Sequence, residues 1–165
     1  MQGRALSAVL LALLTSGPAY ATIITLEAQL SGANEVVPPG GDLDGSGLAT
    51  LMIDDVALTV TWEITVEGIG APVAAHIHEG PAGVNGPIQV DFSGLLSGGP
   101  LQDDDLAGVL ANPAGWYVNV HTEEFQGGAI RGQLSRVSVP VSEPGSLALL
   151  GLGLLGLGLT RRRAN

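Results

Sequence analysis

Apolar and polar residues alternate strictly in the segment ALTVTWEITVEG, residues 57–68. The apolar side chains occupy every second position: Leu58, Val60, Trp62, Ile64 and Val66. Successive side chains of a β-strand point to opposite faces of the sheet, whereas an α-helix repeats its apolar face every 3.6 residues. The segment therefore predicts a strand with one buried and one solvated face.

Six further segments alternate in the same way, although less regularly: TIITLEAQL, GLATLMID, VAAHIHE, GPIQVDF, GWYVNVHT and AIRGQLSRV. Segments rich in Gly, Pro, Asn and Asp separate them, which is typical of turns and loops. Only PLQDDDLAGVLANP indicates a helix, near residues 103–111, with aspartates at its positive end and Pro113 beyond its last turn. We therefore predict an all-β fold with one short helix, arranged as an antiparallel Greek-key β-sandwich, with an open barrel as the alternative.

The first 21 residues have the order of a secretory signal peptide. Arg4 precedes an apolar run from Ala5 to Leu14, and the small residues Ala19 and Ala21 follow a Gly-Pro pair. The apolar run is shorter than the ~20 residues that a membrane-spanning helix requires. We expect cleavage near Ala21 and export of the remaining chain.

Residues 141–165 are predicted to be a second targeting segment. A run of Leu, Gly and Ala from 147 to 159 is flanked by two polar groups: Ser142, Glu143 and Pro144 before it, and Arg161, Arg162 and Arg163 after it. The run is marginal for a stable span, and the arginines favour the cytoplasmic side, so we expect a transient inner-membrane stage. The segment resembles the PEP-CTERM sorting signal, with Ser142 in place of the first proline. The resemblance implies processing by an exosortase in a Gram-negative bacterium that makes extracellular polysaccharide, with a plain membrane tail as the alternative.

The segment between the two ends, residues 22–140, is long enough for one hydrophobic core and too short for two. It contains only two of the six basic residues, Arg131 and Arg136, but all of the 16 acidic residues except Glu143. This acidic balance argues against nucleic acid and anionic lipid as partners. The chain has no cysteine, so no disulfide stabilises it after export.

Three of the predicted strands place polar side chains on the face opposite the core. Alternation assigns seven residues to this face, here called the polar patch: His76, His78, Tyr117, Asn119, His121, Arg131 and Gln133. The last two strands are predicted to form a hairpin through the segment EEFQGG. If all three strands are neighbours, the seven side chains form one continuous surface.

Two segments of the same region resemble a known family. AHIHEGPAGVNGPI and YVNVHTEEFQGGAIRGQL, with Asn112-Pro113 between them, are similar to the hallmarks of the CHRD domain, over about residues 24–137. The resemblance implies an extracellular β-rich module; in chordin itself it is associated with a growth-factor pathway, and it implies no reaction. We therefore predict an exported, non-catalytic protein of the cell surface or extracellular matrix that binds a matrix polysaccharide or a protein partner.

A metal site is the alternative function. Residues two apart on a strand lie roughly 6.6 Å apart, and imidazoles at that spacing converge on one ion at about 2 Å. His76, His78 and His121 would then bind Zn or Cu. The sequence His-Ile-His has a loose likeness to the copper ligands of Cu,Zn superoxide dismutases, which makes redox catalysis a remote alternative.

A purely structural role for the polar patch is the other alternative, because buried polar groups normally find hydrogen-bond partners. In that case Glu79 or Glu123 would pair with Arg131. Ordinary acid-base or nucleophilic catalysis is not expected, since the chain has no cysteine and no serine in a nucleophile elbow.

A weak calcium motif occurs in the segment GGDLDGSG. Asp42, Asp44 and Ser46 alternate as at the start of an EF-hand loop, but Ile53 stands where the bidentate Glu of that loop is required. A solvated turn is the preferred interpretation.

Overall fold

The computed structural model describes residues 20–36 and 40–137. These residues form nine strands, one α-helix and two single turns of 3₁₀ helix. The strands are β1 (Ile23–Ser31), β2 (Ser46–Asp54), β3 (Thr59–Glu67), β4 (Pro72–Glu79), β5 (Ile88–Asp91), β6 (Ser97–Gln102), β7 (Trp116–Thr122), β8 (Ile130–Gln133) and β9 (Ser135–Arg136). The helix is α1 (Leu106–Ala111), and the 3₁₀ turns are Gly32–Asn34 and Pro113–Gly115. None of the helices in these two ranges is long and apolar enough to cross a membrane.

The strands form one antiparallel sheet in the order β5-β4-β7-β8-β1-β2-β3-β6, with β9 paired to β1. The two edge strands, β5 and β6, are consecutive in the chain, and only residues 92–96 connect them. A flat sheet of eight strands would hold its edges roughly 34 Å apart, which is beyond the ~20 Å reach of so short a connection. The sheet must therefore curl until its edges approach each other.

A single hydrophobic core fills the inside of the curl. Every second residue of the long strands contributes to it, as in Leu26, Leu51 and Ile53, none of which is exposed to solvent. Leu106 and Val109 of α1 also belong to this core. The described domain is thus built on the two-residue period that the sequence predicted, and one face of the sheet is left for polar residues.

The antiparallel all-β fold with one short helix is confirmed, whereas the Greek-key sandwich stays a prediction. The number of strands, predicted to be seven, is wrong. The segment AIRGQLSRV forms two strands, because β8 pairs with β7 whereas β9 pairs with β1. In addition, SGGPLQ forms β6, although it carries no alternation and its last residues were assigned to the helix.

β6 pairs with β3 because its glycines allow close approach. A Cβ on Gly98 would lie 2.7 Å from Cζ2 of Trp62, whose ring is buried and stacks on Phe92.

The predicted helix begins three residues later than expected, at Leu106. Asp103 instead closes a turn, since its carboxylate accepts a hydrogen bond from the backbone N–H of Asp105.

The two predicted targeting segments cannot be compared with the fold. The described residues include only the last two residues, 20 and 21, of the predicted signal peptide (residues 1–21). They include none of the sorting segment, residues 141–165.

Candidate functional site

The three strands that carry the polar patch are neighbours, in the order β4-β7-β8. Asn119 lies opposite His76 on one side and opposite Arg131 on the other, and in the adjacent row Tyr117 lies between His78 and Gln133. All seven side chains therefore share the outer face of this part of the sheet, with the hydrophobic core on the inner face. His121 completes the patch at the end of β7, two residues after Asn119.

The patch is covered by the loop formed by residues 80–87. The guanidinium of Arg131 donates to the side-chain oxygen of Asn85 and to the carbonyls of Pro81 and Val84, at 2.7–3.1 Å. The hydroxyl of Tyr117 accepts a hydrogen bond from the backbone N–H of Gly86. These contacts leave Arg131 only 1 % exposed.

The sequence-based pairing of Arg131 with Glu79 or Glu123 is wrong, because the hydrogen bonds of the guanidinium go to neutral groups of the loop. The carboxylate of Glu79 accepts from Gln89 instead. Gln133 also supports the loop, since its amide donates to the carbonyl of Gly80. The polar patch thus has a structural function in holding this loop.

Three aromatic and cationic groups stack along the patch. The guanidinium carbon of Arg131 lies 3.4 Å from the ring centroid of Tyr117. The ring of Tyr117 is in turn nearly parallel to that of His78, with 4.8 Å between the centroids. This arrangement fixes the plane of the His78 ring.

Backbone carbonyls fix the tautomers of two histidines. Nδ1 of His78 lies 3.0 Å from the carbonyl oxygen of Gly86, and Nδ1 of His121 lies 2.9 Å from that of Gln126. A carbonyl oxygen only accepts hydrogen bonds, so each Nδ1 must carry the proton. In the neutral rings Nε2 of both residues is consequently unprotonated and carries a lone pair, which in His78 has no hydrogen-bond partner.

The rings of His76 and His121 lie close together. Nδ1 of His76 lies 3.2 Å from Nε2 of His121, and Nε2 of His76 lies 3.7 Å from a carboxylate oxygen of Asp91. His76, His78 and His121 each offer one ring nitrogen, and these nitrogens lie within 4.8 Å of one another. Two nitrogens bound to one tetrahedral ion at 2.0–2.1 Å lie roughly 3.3 Å apart. The pair formed by His76 and His121 therefore already has the spacing of two ligands of one ion.

Burial keeps the three imidazoles neutral at pH 7. Burial lowers the pKa of His76, with a further lowering by His121 and an opposing effect of Asp91. It lowers the pKa of His78 to about 4, against the opposing hydrogen bond to Gly86. It also lowers the pKa of His121, where the hydrogen bond to Gln126 opposes the shift. Neutral imidazole is the form that binds metal ions.

The buried side-chain atoms without hydrogen-bond partners in the described residues all belong to this region. They are Nε2 of His78, Oδ1 of Asn119 and both carboxylate oxygens of Glu35. Native proteins leave few such atoms, and an ion or an ordered water is the usual explanation for them. The orphaned nitrogen of His78 is the atom that the tautomer argument assigns a free lone pair.

Glu35 was missed in the sequence. It follows the 3₁₀ turn Gly32–Asn34, where no pattern marks it as functional. A Cβ on Gly128 would lie 2.5 Å from Oε1 of Glu35 and 2.7 Å from the amide of Asn119, so both side chains meet above this glycine. Burial raises the pKa of Glu35 to about 7, and the charge of Arg131 opposes that shift.

The calcium motif has the geometry of a turn. Oδ1 of Asp42 accepts a hydrogen bond from the backbone N–H of Asp44, and Ser46 is the first, exposed residue of β2. Among the described residues, the three histidines are the only group of three or more His, Cys, Asp or Glu side chains that lie close enough together to bind one metal ion.

Comparison with known proteins identifies two parts of the chain. Residues 140–163, which include Ser142, Glu143, Pro144 and the three arginines, match the PEP-CTERM protein-sorting motif. This motif indicates export to the cell surface of a Gram-negative bacterium, with recognition by an exosortase and a transient membrane stage. No curated protein and no solved structure matches the chain. Residues 26–134 match the CHRD domain, and the chain therefore belongs to the CHRD domain family.

Proposed function

We propose that this protein binds one transition-metal ion at the cell surface through His76, His78 and His121. The observation that supports the proposal is the convergence of three neutral imidazoles, one nitrogen from each within 4.8 Å of the others. Zinc and copper are the metals that imidazole ligands suit.

The hydrogen bonds around the histidines favour a metal site over a purely structural network. Histidines that bind metals almost always donate their other ring N–H to a carbonyl or a carboxylate. Gly86 and Gln126 supply such carbonyls, and Asp91 is the carboxylate nearest to His76. A network without an ion would leave Nε2 of His78 buried and unpaired, which costs about 1–3 kcal/mol.

The proposed function is binding without catalytic turnover. The sequence contains no cysteine and no serine in a nucleophile elbow. Assays of superoxide dismutation with the copper-loaded protein test the remaining redox alternative, and turnover above that of free copper would contradict a binding function.

Binding to a matrix polysaccharide or matrix protein is a second proposal. It is supported by the PEP-CTERM motif, which delivers the protein to the cell surface. Co-sedimentation of the protein with isolated extracellular polymer, before and after removal of metal by a chelator, tests this proposal separately from the metal site.

The first experiment is metal titration of the protein without a polyhistidine tag. The chain has only three histidines, all in the site, so histidine signals in NMR spectra report on the site alone. We expect about one ion of Zn or Cu per chain, with shifts of all three ring signals.

Two variants give the experiment a matched comparison. His121→Gln removes one ligand and is expected to lower the affinity by at least ~10-fold. A double variant with Asp42→Asn and Asp44→Asn removes two charges from the calcium-like turn and is expected to leave the stoichiometry unchanged. Absence of binding by the unmodified protein would contradict the proposal, as would loss of binding in the double variant alone.

A further inference from the structure

We propose that the three-histidine site selects monovalent copper, Cu⁺, over Zn²⁺. The inference rests on the proposed metal-binding function and specifies the ion. It follows from the number of ligands, the burial of the site and the charge beside it.

The donor set favours an ion that is stable with three ligands. In the described residues the ligand cluster consists of three imidazoles and contains no carboxylate or thiolate. The nearest carboxylate, that of Asp91, faces the nitrogen of His76 on the side away from His121. The amide of Asn119 packs against Gly128. Zn²⁺ is almost always four-coordinate and fills an open position with water, whereas closed-shell Cu⁺ accepts three nitrogen ligands without a fourth.

Burial makes a water ligand costly. His76 and His78 are 8 % and 7 % exposed, His121 is half-buried, and the ring of Tyr117 covers one face of His78. The loop of residues 80–87 is held against the patch by Arg131 and Tyr117. Zn²⁺ with a coordinated water must keep part of its hydration shell within this covered site. Cu⁺ bound by three nitrogens requires no water ligand.

The charge next to the site penalises a dication more than a monocation. Arg131 is fully buried, and its guanidinium hydrogen-bonds to neutral oxygens of the loop, while the carboxyl of Glu35 is close enough to interact with its charge. Its charge lies against Tyr117, which itself stacks on His78. Coulomb repulsion scales with the charge of the ion, so it is twice as large for Zn²⁺ as for Cu⁺ at the same position. Asp91 attracts the dication more strongly than the monocation; because its side chain is 63 % exposed, solvent screening weakens this attraction without removing it.

The test compares the two ions in the untagged protein. Cu⁺ is titrated without oxygen and with a reductant, in competition with a chromogenic Cu⁺ chelator; Zn²⁺ is titrated against a chromogenic zinc chelator. X-ray absorption then counts the ligands. We expect one Cu⁺ bound by three nitrogens, with a dissociation constant at least ~100-fold below that for Zn²⁺.

The outcomes separate this inference from the proposed function. Zn²⁺ bound in four-coordinate form as tightly as Cu⁺ would overturn the selectivity and leave the metal-binding function intact. Absence of binding by both ions would overturn both. Cu⁺ bound by four ligands would also contradict the inference, which requires three nitrogen ligands.

Two variants test the charge argument. Arg131→Gln is expected to narrow the difference between the two ions, because it removes the buried positive charge. Where that variant fails to fold, the surface variant Asp91→Asn serves instead and is expected to widen the difference, with Glu63→Gln on β3 as the remote control. An unchanged ratio of affinities in a folded variant would contradict the electrostatic part of the argument.

Discussion

Arg131 is expected to be the most important polar side chain for the stability of the domain. Its guanidinium donates three hydrogen bonds to the loop of residues 80–87, and its plane covers Tyr117. The variant Arg131→Met retains an apolar side chain of similar length but leaves the oxygens of Pro81, Val84 and Asn85 without this donor.

The magnitude follows from these contacts. A hydrogen bond from a charged donor contributes about 1.5–3 kcal/mol. The three bonds are not independent, and loss of the charge removes the cost of burying it, so the sum is reduced. We expect Arg131→Met to lower the free energy of unfolding by about 3–5 kcal/mol, which is a large part of the 5–15 kcal/mol typical of a domain.

Arg136 provides the matched control. It is exposed and donates one hydrogen bond, to the carbonyl of Leu110, so Arg136→Met is expected to cost less than about 1 kcal/mol. Urea unfolding followed by the fluorescence of Trp62 and Trp116 measures both variants, because both rings belong to the core. Equal midpoints for the two variants would refute the assignment of Arg131 as the residue that holds the loop.

Three further predictions concern the site and the core. A metal ion at 100 times its dissociation constant should stabilise the domain by about 2.7 kcal/mol and raise Tm by roughly 10 °C; at the same concentration, His121→Gln, with its at least ~10-fold weaker binding, should gain at most about 1.4 kcal/mol and roughly half of that rise. The raised pKa of Glu35 gives a stabilising contribution that is complete below its ordinary pKa of 4.5 and is lost as the pH rises to about 7. Glu35→Gln should therefore flatten the decline in the free energy of unfolding between pH 4.5 and about 7. Gly98→Val should lower stability by at least ~2 kcal/mol through collision with Trp62, in denaturant unfolding.

Each of these predictions has a result that contradicts it. An equal rise of Tm in His121→Gln would place the ion elsewhere. For Glu35, the three histidines titrate in both proteins and cancel in the comparison, so parallel pH profiles would show that the carboxyl is not perturbed. For Gly98, near-normal stability of the Val variant would mean that β6 can move away from β3. Gly70→Val is the control for the loss of a glycine, because Gly70 is exposed and an added Cβ there would meet only Cβ of Thr122, at 3.9 Å.

The period of two in the sequence was sufficient to predict which strand residues enter the core. It placed Val118 and Val120 inside and their polar neighbours outside, because alternation is a property of one strand and needs no knowledge of its partners. The same rule selected the residues of the polar patch. β6 was not predicted, since Gly98 enters the sheet through close contact with Trp62, which is distant in the chain.

The position of Glu35 likewise could not be predicted. Its carboxylate lies beside Asn119 only because Gly128, which is far from Glu35 in the sequence, has no side chain. Burial, which raises its pKa, is a property of the folded surroundings and leaves no mark in the local sequence.

Local order along the chain was sufficient to predict most of the strands, the polar face that carries the three histidines, and the two family resemblances, but not β6 or the division between β8 and β9. The tertiary structure decided that β4, β7 and β8 are neighbours, that the loop of residues 80–87 covers their outer face, and that the carbonyls of Gly86 and Gln126 fix the rings of His78 and His121. Pairing between strands that are far apart in the chain, such as β4 and β7, and the loop conformations that bring the carbonyls of Gly86 and Gln126 to the rings arise only in the folded sheet. They turn three separate histidines into one candidate metal site.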